Sequence, residues 1–269
     1  MADDNQRTSA SRVGLTPRIA EAIAADLRQR ILKSELTDVP LPRQDDLVQQ
    51  YGVSGPSVRE ALRILEAEGL ITVRRGKFGG AYVHKPDWSS AAFAVALSMQ
   101  GQGVTLSDLA ESLEMLEPMC AAACASRADR RETIVPALRE NLDDTEKVIG
   151  IGDQYSAKAR VFHEILVGGV ENESLRLLVR TLTAVWSIQE QTWAENVKAA
   201  ALYPPEEDQR ESLRTHRVLA KLIDEGDVEG VRSLAEKHIR ATQQIVLDRH
   251  GDEVVDSSSL TAVQAFKSL

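Results

Sequence analysis

Leu41-Pro42-Arg43-Gln44-Asp45-Asp46-Leu47-Val48-Gln49-Gln50-Tyr51-Gly52-Val53-Ser54-Gly55-Pro56-Ser57-Val58-Arg59-Glu60-Ala61-Leu62-Arg63 reads as two short helices joined by a tight turn. Gly52 stands where such a turn needs a residue free of Cβ strain, and Ser54 is placed to cap the second helix. In that helix Val58, Ala61, Leu62 and Leu65 recur at i, i+3, i+4 and i+7 and form one apolar stripe. Ser57, Arg59 and Arg63 fall off the stripe, free for a phosphate or a base edge. The following stretch, Gly69 to Val83, holds two β-rich runs around a basic, glycine-rich tip. The spacing predicts a helix-turn-helix followed by a wing, which is a DNA-binding arrangement.

The plainer alternative is a helical hairpin beside a β-hairpin, with charges that are merely solvated. The tip argues against it. Arg74, Arg75 and Lys77 are interleaved with Gly76, Gly79 and Gly80, a composition suited to close approach of backbone to a polyanion.

Charge divides along the chain. The net charge is −9 over 269 residues, but residues 1–90 hold 13 Lys/Arg against 12 Asp/Glu, while residues 91–269 hold 19 against 29. A near-neutral amino-terminal part with a locally basic helix and wing suits a discrete DNA site rather than a coating role. The start, Met1 to Arg7, is polar and has no signal-peptide core, and the longest apolar run, Ala91 to Met99, is too short to span a bilayer. These features point to the cytoplasm and to no membrane partner. Cys120 and Cys124 lie one helical turn apart among alanines, where a buried packing role is commoner than redox or metal chemistry.

Beyond residue 90 strand signals vanish. Helical periodicity marks 105–127, 130–149, 153–169, 171–196, 206–226 and 227–249, with breaks at Asp129, Gly150-Ile151-Gly152, Glu171-Asn172, Tyr203-Pro204-Pro205 and Gly226-Asp227. Asn172 and Asp227 are candidate caps for the helices after them. The expected architecture is mainly α. A loose amino terminus (1–15) precedes a winged helix-turn-helix (16–84) and a linker (85–90). An antiparallel bundle of six or seven helices (91–249) and a loose tail (250–269) follow.

Leu41-Pro42, Leu47, Val53-Ser54, Val58-Arg59-Glu60-Ala61-Leu62, Leu65, Glu68-Gly69-Leu70, Gly76 and Val83 resemble the winged-helix domain of the GntR superfamily of bacterial repressors. Gly55 stands where that family usually has Arg, and Gln44-Asp45 where it has a Glu-Arg pair. The resemblance implies DNA contacts from Arg43, Ser54, Ser57, Arg59, Arg63, Arg75, Gly76 and Lys77. The all-helical remainder resembles the FadR subfamily, through Leu116-Glu117 before an Ala-rich helix, Phe162-His163 with Asn172 nine residues on, and His216 and His238 around Glu225-Gly226-Asp227. It implies a homodimer on a palindromic operator, released or modulated by a small organic effector.

The subfamily also binds a metal through three histidines and an Asp beside the effector. Position by position, His163, His216 and His238 correspond to the histidines, and Ala159 stands at the Asp. Three imidazoles with an open position suit Zn²⁺ or a similar divalent ion, and hydrogen-bonded histidines around a metal-free pocket are the alternative. Leu113, Glu117 and Asn172 correspond to the effector pocket. Leu113 occupies the position of an Arg that clamps effector carboxylates, and Met115, Met119 and Trp186 are near, so a fatty-acyl or other lipid-like effector would suit it.

Two functions compete. One is a ligand-responsive repressor; the other is a metal-dependent hydrolase using the three-His site. A hydrolase needs a general base beside the metal. Glu164 adjoins His163 in sequence but points off the ligand face, and no phosphate loop or nucleophile elbow is present. The residues favour the regulator.

Overall fold

Each helix of the amino-terminal unit has one face that must be covered, and they cover one another. In the computed structural model, which describes residues 15–33, 35–36, 40–74, 80–84, 86, 88–196 and 205–268, the chain divides into two compact units, 1–87 and 88–269. The first unit contains α1 (Leu15–Leu32), α2 (Gln44–Tyr51), α3 (Gly55–Ala67), β1 (Ile71–Arg74) and β2 (Gly80–Val83). Ala20, Ile23, Ala24, Leu27 and Ile31 line the inner face of α1 and meet Val58, Ala61 and Leu65 of α3 in a single core. Gly52 ends α2 at φ +62°, a left-handed conformation that an L side chain adopts only with strain. Ser54 sits at the N-cap of α3 in extended conformation; its carbonyl, not its hydroxyl, receives the first helical N–H groups, from Ser57 and Val58.

The wing is an antiparallel pair with Ile71 opposite Val83 and Arg74 opposite Gly80. Ile71 and Ala81 are buried in the core, while Thr72, Val73 and Arg74 of β1 are exposed. The Leu41 N–H donates to the Ala81 carbonyl at 2.8 Å, which ties the start of the helix-turn-helix to the wing. The tip, with Arg75, Gly76 and Lys77, lies outside the described residues, as does the amino-terminal stretch expected to be loose up to residue 14.

The described elements of the second unit are all helices: α4 (Trp88–Gln102), α5 (Leu106–Ser126), α6 (Arg130–Thr133), α7 (Val135–Glu146), α8 (Gly152–Gly168), α9 (Glu173–Asn196), α10 (Glu206–Glu225), α11 (Val228–His250) and α12 (Leu260–Ser268). Helix ends carry their own chemistry. Thr105 and Asp108 exchange backbone and side-chain bonds at the start of α5. Asn172 and Asp227 accept from Leu175 N and Gly230 N, so both expected caps form. Between α10 and α11 Gly226 adopts φ +79° and its N–H closes the last turn of α10. Long helix α5 packs along α11 and also touches α8, α9 and α10. Two large apolar cores result, beside a smaller cluster of Cys120, Val167, Val170 and Val179. One gathers Leu109, Leu113, Val185, Ile188, Ile239, Val255 and Phe266; the other gathers Cys124, Leu138, Phe162, Leu213, Leu219, Ile223 and Val231.

Two expectations need correction. The linker was expected to run through Ser90, but α4 begins at Trp88 and makes the apolar run 91–99 into a helix with Ala92 and Ala96 fully buried. Its apolar residues surround the helix rather than striping it, so no 3.6-residue signal marks it. The segment after His250 is not a loose tail. Val255, Ser257 and Ala262 are completely buried, and α12 lays Phe266 against Phe93 of α4 with ring centroids 5.3 Å apart. Its polar sequence, Asp252 to Ser259, hides this because its order comes from partners distant in the chain. Gln189 receives the Asp256 N–H and donates to the Asp256 carbonyl, and Gln100 receives both the N–H and the hydroxyl of Ser257. No described helix is long and apolar enough to cross a membrane.

Candidate functional site

On the amino-terminal unit, α3 presents Arg59 and Arg63 to solvent, and Arg43 is exposed where α2 begins. Arg63 makes an exposed 3.3 Å contact with Glu60, a pairing worth little against water and easily exchanged for phosphate. A Cβ on Gly55 would stand 3.4 Å from both the Arg59 guanidinium and the Gln44 amide, so these two side chains close over Gly55. Ser57 behaves differently from the expectation. It is buried and its hydroxyl lies 3.0 Å from that of Ser54, so it links the turn to the helix instead of facing DNA. Helical spacing accounts for this: Ser57 stands four residues before Ala61 and eight before Leu65, beside the apolar stripe, and is buried with them. Arg74, at the described edge of the wing, is exposed with its guanidinium 4.7 Å above the Tyr82 ring.

In the helical unit His163 of α8, His216 of α10 and His238 of α11 come together, with nitrogen atoms from all three within 4.8 Å of one another. His216 and His238 bring their Nε2 atoms to 2.8 Å. The His163 and His238 rings are parallel at 5.4 Å, the His216 ring stands across both, and Phe162 stacks on His216 at 4.1 Å. Burial holds His216 well below the usual histidine range and His238 down to about 3, each further lowered by its imidazole neighbours, so both are neutral. His163 is likewise opposed by burial, but the Glu117 carboxylate, with Glu190 and Glu164 behind it, lifts it above its ordinary value. Glu117, from α5, accepts from His163 Nδ1–H at 2.9 Å.

Beside these groups is a cavity of about 10 Å³, lined by Glu117, His163, His238 and the apolar Ala121, Leu166, Val167, Leu219, Ala235 and Ile239. That is room for one water or one ion. The donor set fits a divalent cation: three imidazoles converge, two are held neutral, and buried His216 Nδ1 has no hydrogen-bond partner among the described residues. Ala159, one turn before His163, offers no donor atom.

The remaining expected pocket residues separate. Glu117 is at the cavity, whereas Leu113, one turn earlier, is fully buried in the apolar core of α4, α5 and α9 and does not line it. Asn172 is exposed and serves as the cap of α9. Met115 and Met119 are 60% and 46% exposed and point away from the bundle interior. Trp186 is buried and donates its indole N–H to Glu190 at 2.9 Å. Glu190 was not anticipated. Its carboxyl is held above the usual range by burial, opposed by Arg160 at 3.8 Å. Only its i, i+4 spacing from Trp186 could have marked it in the sequence.

A winged helix-turn-helix unit and a helical unit with a histidine cluster define a two-domain protein with one unit of DNA-binding type. Residues 19–83 match the family described as bacterial regulatory proteins, gntR family, and residues 108–241 match the FCD domain. The chain belongs to the GntR family and carries an FCD domain. It is 33% identical over 82 residues to the HTH-type transcriptional regulator YieP of Escherichia coli (strain K12), covering 30% of this chain and 35% of that protein. It is 37% identical over 70 residues to the HTH-type transcriptional repressor NagR of Bacillus subtilis (strain 168), covering 26% of this chain and 28% of that one. The chain thus spans about a third of the length of these relatives. The structure of a Streptococcus agalactiae GntR superposes with a TM-score of 0.64 at 22% identity, over 84% of this chain and 99% of that chain, a likeness of fold.

Proposed function

We propose that this protein is a ligand-responsive, DNA-binding transcriptional regulator acting as a repressor in the bacterial cytoplasm. The observation that carries the reading is α3: a helix anchored by Val58, Ala61 and Leu65 that leaves Arg59 and Arg63 exposed in front of a wing. Arginine in that setting can meet phosphate or a guanine edge, and the wing tip, with Arg75, Gly76 and Lys77, adds a second basic element. Two copies related by a two-fold axis would present two such helices to the halves of a palindrome. The name of the Bacillus subtilis relative supports repression.

In the helical unit we assign His163, His216 and His238 to a divalent cation such as Zn²⁺, beside a small organic effector that reaches the Glu117 side of the cavity. The outward course of Met115 and Met119 lends no support to an acyl chain, and the cavity, with room for one water or ion, would have to widen to admit any organic effector. The hydrolase reading has less support. Glu117, the carboxylate nearest the histidines, is engaged with His163 Nδ1 rather than with an open position, and Glu164 is exposed.

Genomic fragments retained by the purified protein, sequenced and aligned, test the reading, together with light scattering at micromolar concentration. An inverted repeat bound by a dimer is expected. Retention of fragments with no shared motif, or a monomer that protects a single half-site, would count against it.

A further inference from the structure

The Glu117–His163 pair has a consequence for the cation site, and the inference rests on the three-histidine reading just given. The Glu117 side chain is 11% exposed, so its charge is largely cut off from water and needs a partner inside the protein. That partner is His163 Nδ1 at 2.9 Å. A carboxylate can only accept, so Nδ1 carries the hydrogen and the lone pair of His163 belongs to Nε2. The tautomer is thereby set by a residue on α5, a different helix from any of the three histidines. The same carboxylate also lines the cavity beside His163 and His238.

The charge balance gives this contact further weight. Three neutral imidazoles bring no negative charge to a divalent ion, and Ala159, one turn before His163, brings none either. Negative charge must then come from behind the donors. In a poorly solvated site a carboxylate one imidazole away strengthens its donor and offsets the ion's charge. Glu190 is a weaker source, since Trp186 and Arg160 already engage its two oxygens.

We propose that Glu117 is the positioning residue of the cation site: through His163 Nδ1 it fixes the nitrogen that faces the ion and supplies the negative charge that Ala159 withholds.

The test uses the full chain stripped with a chelator and titrated with Co²⁺, as wild type, Glu117→Gln and Glu117→Ala. Gln keeps the size of the side chain and an oxygen that can accept from Nδ1–H but loses the charge; Ala loses both. Affinity comes from competition with a chromophoric chelator, the donor set from the Co²⁺ ligand-field absorption, and fold integrity from melting in excess EDTA. Expected are a loss of Co²⁺ affinity of about 10–100-fold in both variants and an altered ligand-field band in Glu117→Ala. The melting temperature of Glu117→Gln in EDTA should stay near that of wild type. Wild-type affinity and spectrum in both variants would overturn the role of Glu117 while leaving the three-histidine site standing. A wild type that takes up no Co²⁺ would overturn the site and the inference together. Weakened binding in Glu117→Gln, accompanied by an equally lowered melting temperature in EDTA, would mean a packing role and overturn the inference.

Discussion

Arg59 and Ser57 stand two positions apart on α3 and separate contact from construction. Arg59 is exposed beside Gly55 and Gln44, and Ser57 is buried against Ser54. Arg59→Ala should therefore lower operator affinity by about 1–3 kcal/mol if it reads a base, or flatten the salt dependence by about one phosphate if it meets the backbone. Ser57→Ala should leave both unchanged and cost about 1 kcal/mol of stability through the lost hydroxyl contact. Binding isotherms across a salt series, paired with denaturant melts, separate the two. Equal operator affinity in wild type and Arg59→Ala would remove this helix from the interface. The burial of Ser57 follows from helical spacing, since it stands one turn before Ala61 and two before Leu65, and a hydroxyl at that position is taken into the buried face.

Among elements, the stretch from Gly251 through α12 differs most from its sequence-based expectation. A run of Asp, Glu, Val and Ser has the composition of a solvated end. In the fold the Val255 N–H donates to the Val104 carbonyl, the Leu106 N–H to that of Glu253, and Gln189 brackets Asp256 from both sides. Gln189 is itself buried, so Gln189→Ala leaves an N–H and a carbonyl of Asp256 without their partner. The expected cost is about 1–3 kcal/mol, read as a lower urea midpoint with an unchanged slope. A variant as stable as wild type would mean that the apolar contacts of Val255 and Phe266 alone hold the segment. Gln189 adjoins Glu190 on α9, so the turn of helix that holds this segment also carries a carboxylate toward His163.

Across the whole molecule, stability couples to the protonation of a buried histidine cluster. His216 and His238 have folded-state values below the ordinary one near 6.5, so unfolding lets them take up protons. Their contribution is complete above about pH 6.5 and declines as pH falls from there toward 3. His163 acts in the opposite sense, because its raised value favours the folded state below that pH. Two against one, the metal-stripped protein should lose stability on acidification from pH 7 to pH 5, as denaturant midpoints would record. A flat or rising profile over that interval would mean that the two buried rings accept protons without unfolding.

The amino-terminal unit was legible because its information is local. Gly52, Val53-Ser54 and the spacing from Val58 to Leu65 specify a turn, a helix start and a buried face within about a dozen residues, and short-range sterics and burial enforce each. Most bundle helices, and the caps at Asn172 and Asp227, were readable for the same reason. The histidines were singled out by resemblance, since no periodicity relates His216 to His238, 22 residues apart, or Glu117 to His163, 46 residues apart. Which nitrogen meets which carboxylate, the outward turn of Met115 and Met119 and the folding of the segment after Gly251 all depend on which helix packs against which. Such contacts carry little local signature, because a buried polar group is specified by its partner, and the partner arrives from elsewhere in the chain.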